Sequence, residues 1–281
     1  MSDKKPLAKL DKKPLAKLDK KPLAKLDKKP SHLPLSARQL VAHRGYQQLY
    51  PENTARSVIE AINAGALFVE IDIQLSQDQQ PLVYHDISLQ RVSGCPGSVT
   101  EFSLQALQKL PAYEPERLGA QFKEETISSL KTVVEIIQQH PAITLFVELK
   151  EESIGRFSAA TMLAVVTEVL QPIAKRAVLI SFDYNIIQSA RTQGWPQVGV
   201  VLRDWSDIDS PQVMAIEGEY TFVNYTLIPQ DRDLTKLTSK LVAYEVGTVE
   251  LARKLSAENV EMLETFDIKG LLGNRNATGV Q

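Results

Sequence analysis

Cysteine is almost absent from this 281-residue chain, which limits the ways in which the fold can be held together. The single cysteine, Cys95, has no partner for an internal disulfide, and the glycines and proline around it predict a loop. No basic or metal-binding motif surrounds Cys95, so we interpret it as an incidental loop residue. A chain without a disulfide framework suits a reducing compartment, and we therefore expect a cytoplasmic protein.

Long apolar runs and an excess of positive charge on the body are also missing. No run approaches the roughly 18 residues that a membrane-spanning helix needs, so stable membrane insertion is not expected. The N-terminal charges are not followed by the apolar core of about 7–15 residues that is typical of a signal peptide. Residues 1–30 hold eleven Lys and four Asp, which leaves 21 basic and 30 acidic residues and a net charge of −9. General nucleic-acid binding is not expected of so acidic a body, although one local cluster could bind a phosphate ester.

The N-terminus is a repeat. Three perfect copies of DKKPLAKL fill residues 3–26, and a fourth begins at residue 27. A proline every eight residues prevents a continuous helix and like charges repel, so residues 1–35 are predicted to form a flexible Lys-rich extension. The identity of the copies suggests an added segment or a recent expansion, the alternative being a basic tether to a membrane or a nucleic acid. Residues 36–281 are enough for one large domain.

The body alternates short apolar β-rich runs with amphipathic helical patterns. Parallel strands are predicted near residues 39–43, 67–73, 143–149, 177–182, 197–201, 220–224, 241–246 and 260–265. Helices are predicted at Thr54–Ala64, Ser129–Gln139, Ala159–Leu170, Tyr184–Thr192 and Thr248–Leu255. Thr54, Ser129 and Thr248 are candidate N-caps, and Gly65 can close the first helix. Eight strands with interleaved helices predict an α/β fold, a closed (β/α)₈ TIM barrel.

A β-hairpin and a small insertion are expected after the second barrel strand. The apolar run Pro81–His85 follows that strand too closely for a crossover helix, so a hairpin is predicted with its turn at Asp78–Gln79 and with Asp72 facing His85. Residues 87–126 are rich in Gly and Pro and contain one short apolar helix, at Leu104–Leu110. We expect this insertion above the catalytic rim, with its helix packed on the barrel rather than gripping lipid.

Acidic residues at the ends of apolar strands predict a metal site. Glu70 and Asp72 are two apart on one strand and share a face, and Glu148 ends a distant strand. Unpaired acids are costly inside apolar strands, and an all-oxygen set suits a hard divalent cation, with Mg²⁺ and Ca²⁺ as candidates. The alternative is ordinary surface pairing with Lys or Arg, which explains a lone carboxylate better than three at strand ends.

Histidines and basic residues at the same strand ends predict acid–base and phosphate chemistry. His43 and His85 should reach one rim, and imidazole titrates near neutrality, so the pair can act as general acid and general base. The sequence leaves open which residue is the acid. Arg44 can contact phosphate oxygens bidentately, and Lys150 can supply a point charge. The other two histidines, His32 and His140, are expected to face solvent and to take no part in catalysis.

Four separated elements resemble, in order and spacing, the signature of the glycerophosphodiester phosphodiesterase family of PLC-like phosphodiesterases. They are His43-Arg44-Gly45, Pro51-Glu52-Asn53-Thr54, Glu70 with Asp72, and His85-Asp86. The resemblance implies that Glu70, Asp72 and Glu148 are metal ligands, and that His43 and His85 are the catalytic histidines. It also places Glu52 close to the metal and makes Asn53 a positioning residue, the alternative for both being a polar loop that leads to the first helix.

The same resemblance implies metal-dependent hydrolysis of a small glycerophosphodiester to glycerol 3-phosphate and an alcohol. Two alternatives stay open: a lysophospholipase D-type enzyme acting on lysophospholipids, and a barrel that binds phosphate compounds without turnover. Near the C-terminus the chain departs from the family pattern, because Tyr244 or Glu245 stands where Trp is common and Phe266 where Asp is common. These departures leave the alcohol group of the substrate open, and neither the preferred ion nor the oligomeric state follows from the sequence.

Overall fold

Ten strands form one sheet in the computed structural model, which describes residues 35–273. They are β1 (Leu40–Ala42), β2 (Phe68–Leu75), β3 (Pro81–Val83), β4 (Ser128–Ser129), β5 (Thr144–Leu149), β6 (Ala177–Ser181), β7 (Val198–Val201), β8 (Tyr220–Asn224), β9 (Lys240–Tyr244) and β10 (Met262–Thr265). All strands except β3 and β4 pair in parallel, and β1 pairs with both β10 and β2, so the ring closes. The predicted TIM barrel is confirmed, and each of its eight predicted strands overlaps an observed one.

Helices cover the outside of the barrel and build the insertion. Those in the described residues are α1 (Ala55–Asn63), α2 (Gln90–Ser93), α3 (Leu104–Leu107), α4 (Pro115–Leu118), α5 (Leu130–Gln139), α6 (Glu151–Phe157), α7 (Ala159–Leu170), α8 (Tyr184–Thr192), α9 (Pro211–Ile216), α10 (Val249–Ala257) and α11 (Ile268–Leu272). Thr54, Ser129 and Thr248 each accept a backbone N–H at the start of α1, α5 and α10, as predicted. The sequence reading did not identify α6, α9 and α11, since five to seven residues carry little periodicity.

Apolar side chains form separate layers outside and inside the barrel wall. The larger layer lies between strands and helices and includes Val58, Leu145 and Ile187. The smaller layer consists of Val41, Phe146, Val178, Ile180, Val201, Tyr220, Phe222, Val242 and Met262. These residues come from the barrel strands, and side chains alternate along a strand, so the residue two positions later points to the same side. The residues two positions after this inner apolar layer therefore lie inside the barrel at its carboxyl rim.

The predicted hairpin is present as β2 and β3, but its register differs by one residue. The N–H of Tyr84 donates to the carbonyl of Asp72 at 2.9 Å, so Asp72 faces Tyr84 and the expectation that it faces His85 was wrong. The reason is the loop, which places three residues rather than two between the paired Ser76 and Gln80. A three-residue loop shifts every cross-strand pair by one position, and His85 leaves the hairpin just beyond its last pair.

The insertion packs on the hairpin rather than standing free. Leu107 of α3 is fully buried in a cluster with Leu82 of β3 and Tyr84. The helix was expected to pack on the barrel, but this cluster contains hairpin and insertion residues, so the helix packs on the hairpin rather than on the barrel strands. The helix is shorter than the predicted Leu104–Leu110, since α3 ends at Leu107 and the next residues form turns.

Several remaining predictions concern single residues and segments. The predicted extension over residues 1–35, with His32, lies outside the described residues except for Leu35. Cys95 is a half-buried loop residue without a disulfide. His140 follows the last residue of α5 and is half-buried, so it is only partly solvent-facing, and its backbone carbonyl accepts a hydrogen bond from Arg176.

The described residues include no single helix that is long and apolar enough to span a membrane. One bent pair of helices, α6 with the helical stretch Ala159–Arg176, meets the length and composition criteria jointly, across a bend of 115°.

Candidate active site

A cavity of about 170 Å³ opens at the carboxyl ends of the barrel strands. Its polar lining consists of His43, Arg44, Glu70, His85, Glu148, Lys150, Glu245 and Glu264, and its apolar and aromatic lining of Ile180, Phe182, Val201, Phe222 and Tyr244. The alternation of the strands explains this arrangement: His43 follows the inner residue Val41 by two positions, as Glu148 follows Phe146. Asp72 lies buried beside this lining, so all seven principal site residues suggested by the sequence come together.

Glu70, Asp72 and Glu148 form a compact carboxylate group. One oxygen from each lies within 4.8 Å of the others, and the pairing of β2 with β5 sets Asp72 beside Glu148. Glu70 and Asp72 are buried, and Glu70 Oε1 has no hydrogen-bond partner in the described part of the chain. Three close carboxylates with an unsatisfied buried oxygen fit a hard divalent cation, which takes oxygen ligands.

The three carboxylates differ in their ionisation. Burial and the neighbouring charge of Asp72 raise the pKa of Glu70 well above its usual value, and the same two causes raise the pKa of Glu148. Burial alone would also raise the pKa of Asp72, but Arg44 and Lys150 outweigh burial and lower it. A positive ion at this group would favour the charged forms of Glu70 and Glu148, which is the electrostatic behaviour expected of ligands.

Arg44 and Lys150 are tied to these acids by ion pairs. Arg44 donates from Nη1 to Glu52 at 2.9 Å, and its Nε lies 3.2 Å from Asp72 Oδ2. Lys150 Nζ lies 2.8 Å from Glu148 Oε1 and 3.4 Å from Asp72 Oδ1. Burial opposes both positive charges, but the acids outweigh burial and raise the pKa of Arg44 and of Lys150. Two permanent cations therefore line the cavity, where an anionic ester would be bound.

The turn after β1 sets the direction of Arg44. Arg44 and Gly45 have φ of 53° and 79°, and a Cβ at position 45 would lie 2.4 Å from Ser57 Oγ. Ser57 Oγ donates to the carbonyl of Arg44 at 3.0 Å, and the N–H of Arg44 donates to Glu70 Oε2 at 3.0 Å. The His-Arg-Gly motif is thus a tight turn against the first turn of α1, which only glycine at its third position allows.

His43 sits in a largely apolar and acidic setting. Its side chain is 13 % exposed, its ring lies 5.1 Å from that of Phe266, and its Nδ1 has no hydrogen-bond partner in residues 35–273. Its Nε2 lies 4.0 Å from an oxygen of Glu70 and from one of Glu264. Burial, with a smaller effect of Arg44, lowers the pKa of His43 to about 3. The imidazole is therefore neutral at pH 7 and able to accept a proton.

His85 is oriented by a neighbouring carboxylate. Its Nδ1 lies 2.6 Å from Asp86 Oδ1, and Arg91 donates to both oxygens of Asp86 at 2.7 and 2.9 Å. Burial would raise the pKa of Asp86, but its bonds to His85 and Arg91 lower it, so the carboxylate stays charged. A charged acceptor on Nδ1 holds the imidazole ring of His85 in one orientation at the edge of the cavity.

Glu52 and Asn53 occupy the loop before α1 and have separate contacts. Glu52 is 1 % exposed and accepts hydrogen bonds from Arg44 and Arg91, so its carboxylate lies outside the group of three acids. Asn53 Nδ2 donates to Asp72 Oδ2 at 2.8 Å, and its Oδ1 accepts the N–H of Asp72 at 3.0 Å. Asn53 thus holds Asp72 in place, whereas Glu52 holds the arginines.

Sequence reasoning does not identify three charged residues at this site. Arg91 on α2 joins Glu52 to Asp86, and buried Glu114 accepts the N–H of Glu52 at 2.8 Å. Both residues lie in the insertion, and no pattern in the sequence indicates the path of this segment across the rim. Glu264 had one: it follows an inner apolar residue of β10 by two positions, as Glu148 does on β5.

Comparisons with known proteins agree with this geometry. Residues 43–224 match the model of the glycerophosphoryl diester phosphodiesterase family. The Bacillus subtilis (strain 168) protein YhdW is 28 % identical over 244 residues, covering 80 % of this chain and 93 % of that protein. A glycerophosphodiester phosphodiesterase of Bacillus altitudinis is 34 % identical over 121 residues, which cover 42 % of this chain and 47 % of that protein.

A solved structure shows the same fold around a bound product. A phosphodiesterase from Oleispira antarctica, in complex with the product sn-glycerol-3-phosphate, superposes with a TM-score of 0.71 at 26 % identity, covering 83 % of this chain and 94 % of that chain. The family match covers most of the barrel, and the resemblance that rested on four short motifs now extends to the whole fold. The chain therefore belongs to the glycerophosphoryl diester phosphodiesterase family of hydrolases.

Proposed function

We propose that the chain hydrolyses a glycerophosphodiester to glycerol 3-phosphate and an alcohol, with a divalent cation and with His43 and His85 as acid–base residues. The observation that carries this proposal is the convergence of three carboxylates, two permanent cations and two imidazoles on one cavity. The Oleispira antarctica relative, solved with sn-glycerol-3-phosphate, supports the same product here.

Glu70, Asp72 and Glu148 would hold the cation, for which Mg²⁺ and Ca²⁺ are the candidates. When bound, the cation polarises a phosphate oxygen and offsets the charge that builds up in the transition state. Asn53 fixes one oxygen of Asp72 through its amide, so the carboxylate keeps one orientation whether or not an ion is present.

Arg44 and Lys150 would bind the phosphate of the substrate. Lys150 is buried and Arg44 half-buried, and both are held by acids on one side, so their remaining donors are directed by the protein rather than by solvent. Fixed cations of this kind stabilise the extra negative charge of a phosphoryl transition state without reorganising.

The surroundings of the two histidines support distinct roles. His43 lines the cavity and its Nδ1 has no hydrogen-bond partner in residues 35–273, so we assign to it the uptake of the proton of the attacking hydroxyl. We assign to His85, whose ring is oriented by the contact of Nδ1 with Asp86, the protonation of the departing alcohol. The attacking group is water or the 2-hydroxyl of the substrate itself, and a cyclic phosphate among the early products would identify the second route.

A panel of diesters tests the proposal. Glycerophosphocholine, glycerophosphoethanolamine and lysophosphatidylcholine are incubated with Mg²⁺ or Ca²⁺, and release of glycerol 3-phosphate and of free head group is measured. We expect glycerol 3-phosphate from the first two. Cleavage of lysophosphatidylcholine alone would favour the lysophospholipid enzyme, and binding of all three without turnover would favour a binding protein.

Two variants test the residues. His43→Ala and His85→Ala should each lower kcat by about 10²- to 10⁴-fold, the usual contribution of a positioned acid or base. His140→Ala is the matched control, because His140 lies at the end of α5 and does not line the cavity. Near-normal turnover in either of the first two variants would contradict the assignment.

We also propose that residues 36–281 form one catalytic domain and that residues 1–35 are dispensable. The barrel begins at Leu40 and takes its strands and the site residues from the part of the chain that the structure describes. Leu35 is buried in the core, so the truncation that tests this proposal keeps it: a chain that starts at residue 35 and lacks residues 1–34 should match the full chain in kcat and Tm. A loss of turnover after this truncation would show that the Lys-rich segment contributes.

A further inference from the structure

Glu264 is a buried carboxylate to which the proposed reaction gives no role. It ends the inner face of β10, is 3 % exposed and lines the cavity. Its Oε1 has no hydrogen-bond partner within residues 35–273, and its Oε2 lies 4.0 Å from His43 Nε2, too far for a hydrogen bond. Burying a carboxylate without a compensating partner is costly, so this residue requires a counterpart that the protein side chains do not provide.

The cationic side chains of the site pair with other acids. Arg44 contacts Glu52 and Asp72, and Lys150 contacts Glu148 and Asp72. In the described part of the chain, neither of these cations forms an ion pair with Glu264. If Glu264 is ionised, its positive counterpart must therefore come from a bound ion, the alternative being a buried proton.

Glu70 shares this deficit and lies next to Glu264. Its Oε1 is also buried without a partner, and donor atoms of Glu70, Glu264 and His43 lie within 4.8 Å of one another. His43 Nε2 lies 4.0 Å from an oxygen of each acid, too far for a hydrogen bond, and carboxylate oxygens less than 4.8 Å apart suit one ion that sits about 2.3–2.6 Å from each. Glu70 belongs both to this group and to the group with Asp72 and Glu148, so the two groups are continuous.

We propose that Glu264 is a direct ligand of a divalent cation in this cavity, which it binds together with Glu70. The proposal rests on the proposed function, which already places a cation on Glu70, and it adds a fourth carboxylate to the site. Ca²⁺ takes six to eight oxygen ligands, whereas Mg²⁺ usually keeps several waters and only one or two carboxylates. The extra carboxylate therefore favours Ca²⁺ over Mg²⁺.

Isothermal titration of the full chain with Ca²⁺ alone and with Mg²⁺ alone tests this inference after chelator has been removed by dialysis. Glu264→Gln should weaken Ca²⁺ binding at least about tenfold or remove one bound ion, since even residues that only support ligands change metal affinity about 10- to 100-fold. Glu261→Gln is the matched control: it removes the same charge from an exposed residue three positions earlier, and Ca²⁺ binding should not change.

A second set of variants separates this inference from the proposed function. Asp72→Asn should abolish Ca²⁺ binding if the proposed metal site is correct, and Glu264→Asp, which keeps the charge, should lose less affinity than Glu264→Gln. Thermal unfolding without metal should show Glu264→Gln at least as stable as the unmodified chain, because in the described residues Glu264 makes no hydrogen bond or close ion pair that the substitution would remove. Ca²⁺ affinity and stoichiometry unchanged in Glu264→Gln but lost in Asp72→Asn would overturn this inference alone. No Ca²⁺ or Mg²⁺ binding by the unmodified chain would overturn both.

Discussion

Replacing Glu52 with Gln should separate the role of this acid from that of a metal ligand. Its carboxylate accepts one hydrogen bond from Arg44 at 2.9 Å and two from Arg91 at 2.7 and 2.8 Å, and Gln47 donates a fourth. A glutamine keeps the shape but offers one acceptor oxygen, and its N–H groups would point at the guanidinium groups. The change therefore leaves two arginines partly uncompensated at a buried position.

The structure sets the size of the expected effect. Breaking a buried ion pair costs about 3–5 kcal/mol, but Arg91 is 41 % exposed, so water screens its share and the lower end, about 3 kcal/mol, is expected. For a domain of this size each kcal/mol lowers Tm by about 2–4 °C, which predicts a loss of about 6–12 °C.

Thermal unfolding of Glu52→Gln beside Glu125→Gln measures this loss. Glu125 binds Arg56 in a pair whose arginine is 45 % exposed, so the same substitution there should cost at most about 1 kcal/mol. The Arg91 and Arg44 contacts lower the pKa of Glu52 against the effect of burial. The stability that Glu52 contributes is therefore complete above its pKa in the unfolded state, near 4.5. It is lost as the pH falls through the lower pKa of the folded state. A loss below about 1 kcal/mol at pH 7, or one that does not shrink in acid, would refute the argument.

Three further predictions concern the site. Asp86→Asn should lower kcat for glycerophosphocholine about 100-fold or more with little change in KM, because the acceptor that orients His85 is lost; an unchanged kcat would contradict this. Removal of divalent ions with EDTA should abolish turnover, and turnover that persists in EDTA would exclude the cation. An ion restored at about 100 times its Kd should add about 2.7 kcal/mol of stability, which is measured as a rise in Tm. Gly45→Ala should reduce both stability and activity because its Cβ would meet Ser57. Gly155→Ala, at an exposed position of α6 where nothing lies within 4 Å of the added Cβ, should not, and unfolding and kinetic assays of both variants test this.

The barrel and the carboxylate group were accessible from the sequence because both follow from local periodicity. Apolar strands of four or more residues separated by capped helices leave few alternatives to a closed parallel barrel. A period of two then places Glu70 with Asp72 on one face and brings Glu148 to the same rim. The positions of these strand-end residues follow from the chain direction and the handedness of the fold, so they do not depend on loop conformations.

The hairpin register and the charged contacts of the insertion were not accessible in the same way. The register depends on whether the loop holds two or three residues, and the three-residue loop is identified by the backbone hydrogen bond from the N–H of Ser76 to the carbonyl of Gln80. Arg91 reaches Glu52 across 39 residues of sequence, and Glu114 reaches the backbone of Glu52 across 62. Such contacts depend on the three-dimensional path of irregular segments, which composition and spacing do not specify.

Glu264 was only partly accessible from the sequence, and the balance of charges around it supplies what strand alternation alone does not. The alternation that identifies Glu70 and Glu148 applies equally to β10, yet a single acid on a strand is usually attributed to surface pairing. What distinguishes Glu264 is the supply of positive charge: Arg44 and Lys150 are both engaged by other acids. An inward acid beyond the number of available cations must be protonated or must bind an ion, since an uncompensated buried charge is not stable. In this chain the acid without an available cation is Glu264. It lies beside Glu70, which already belongs to the carboxylate group, and for that reason we infer a bound ion rather than a buried proton.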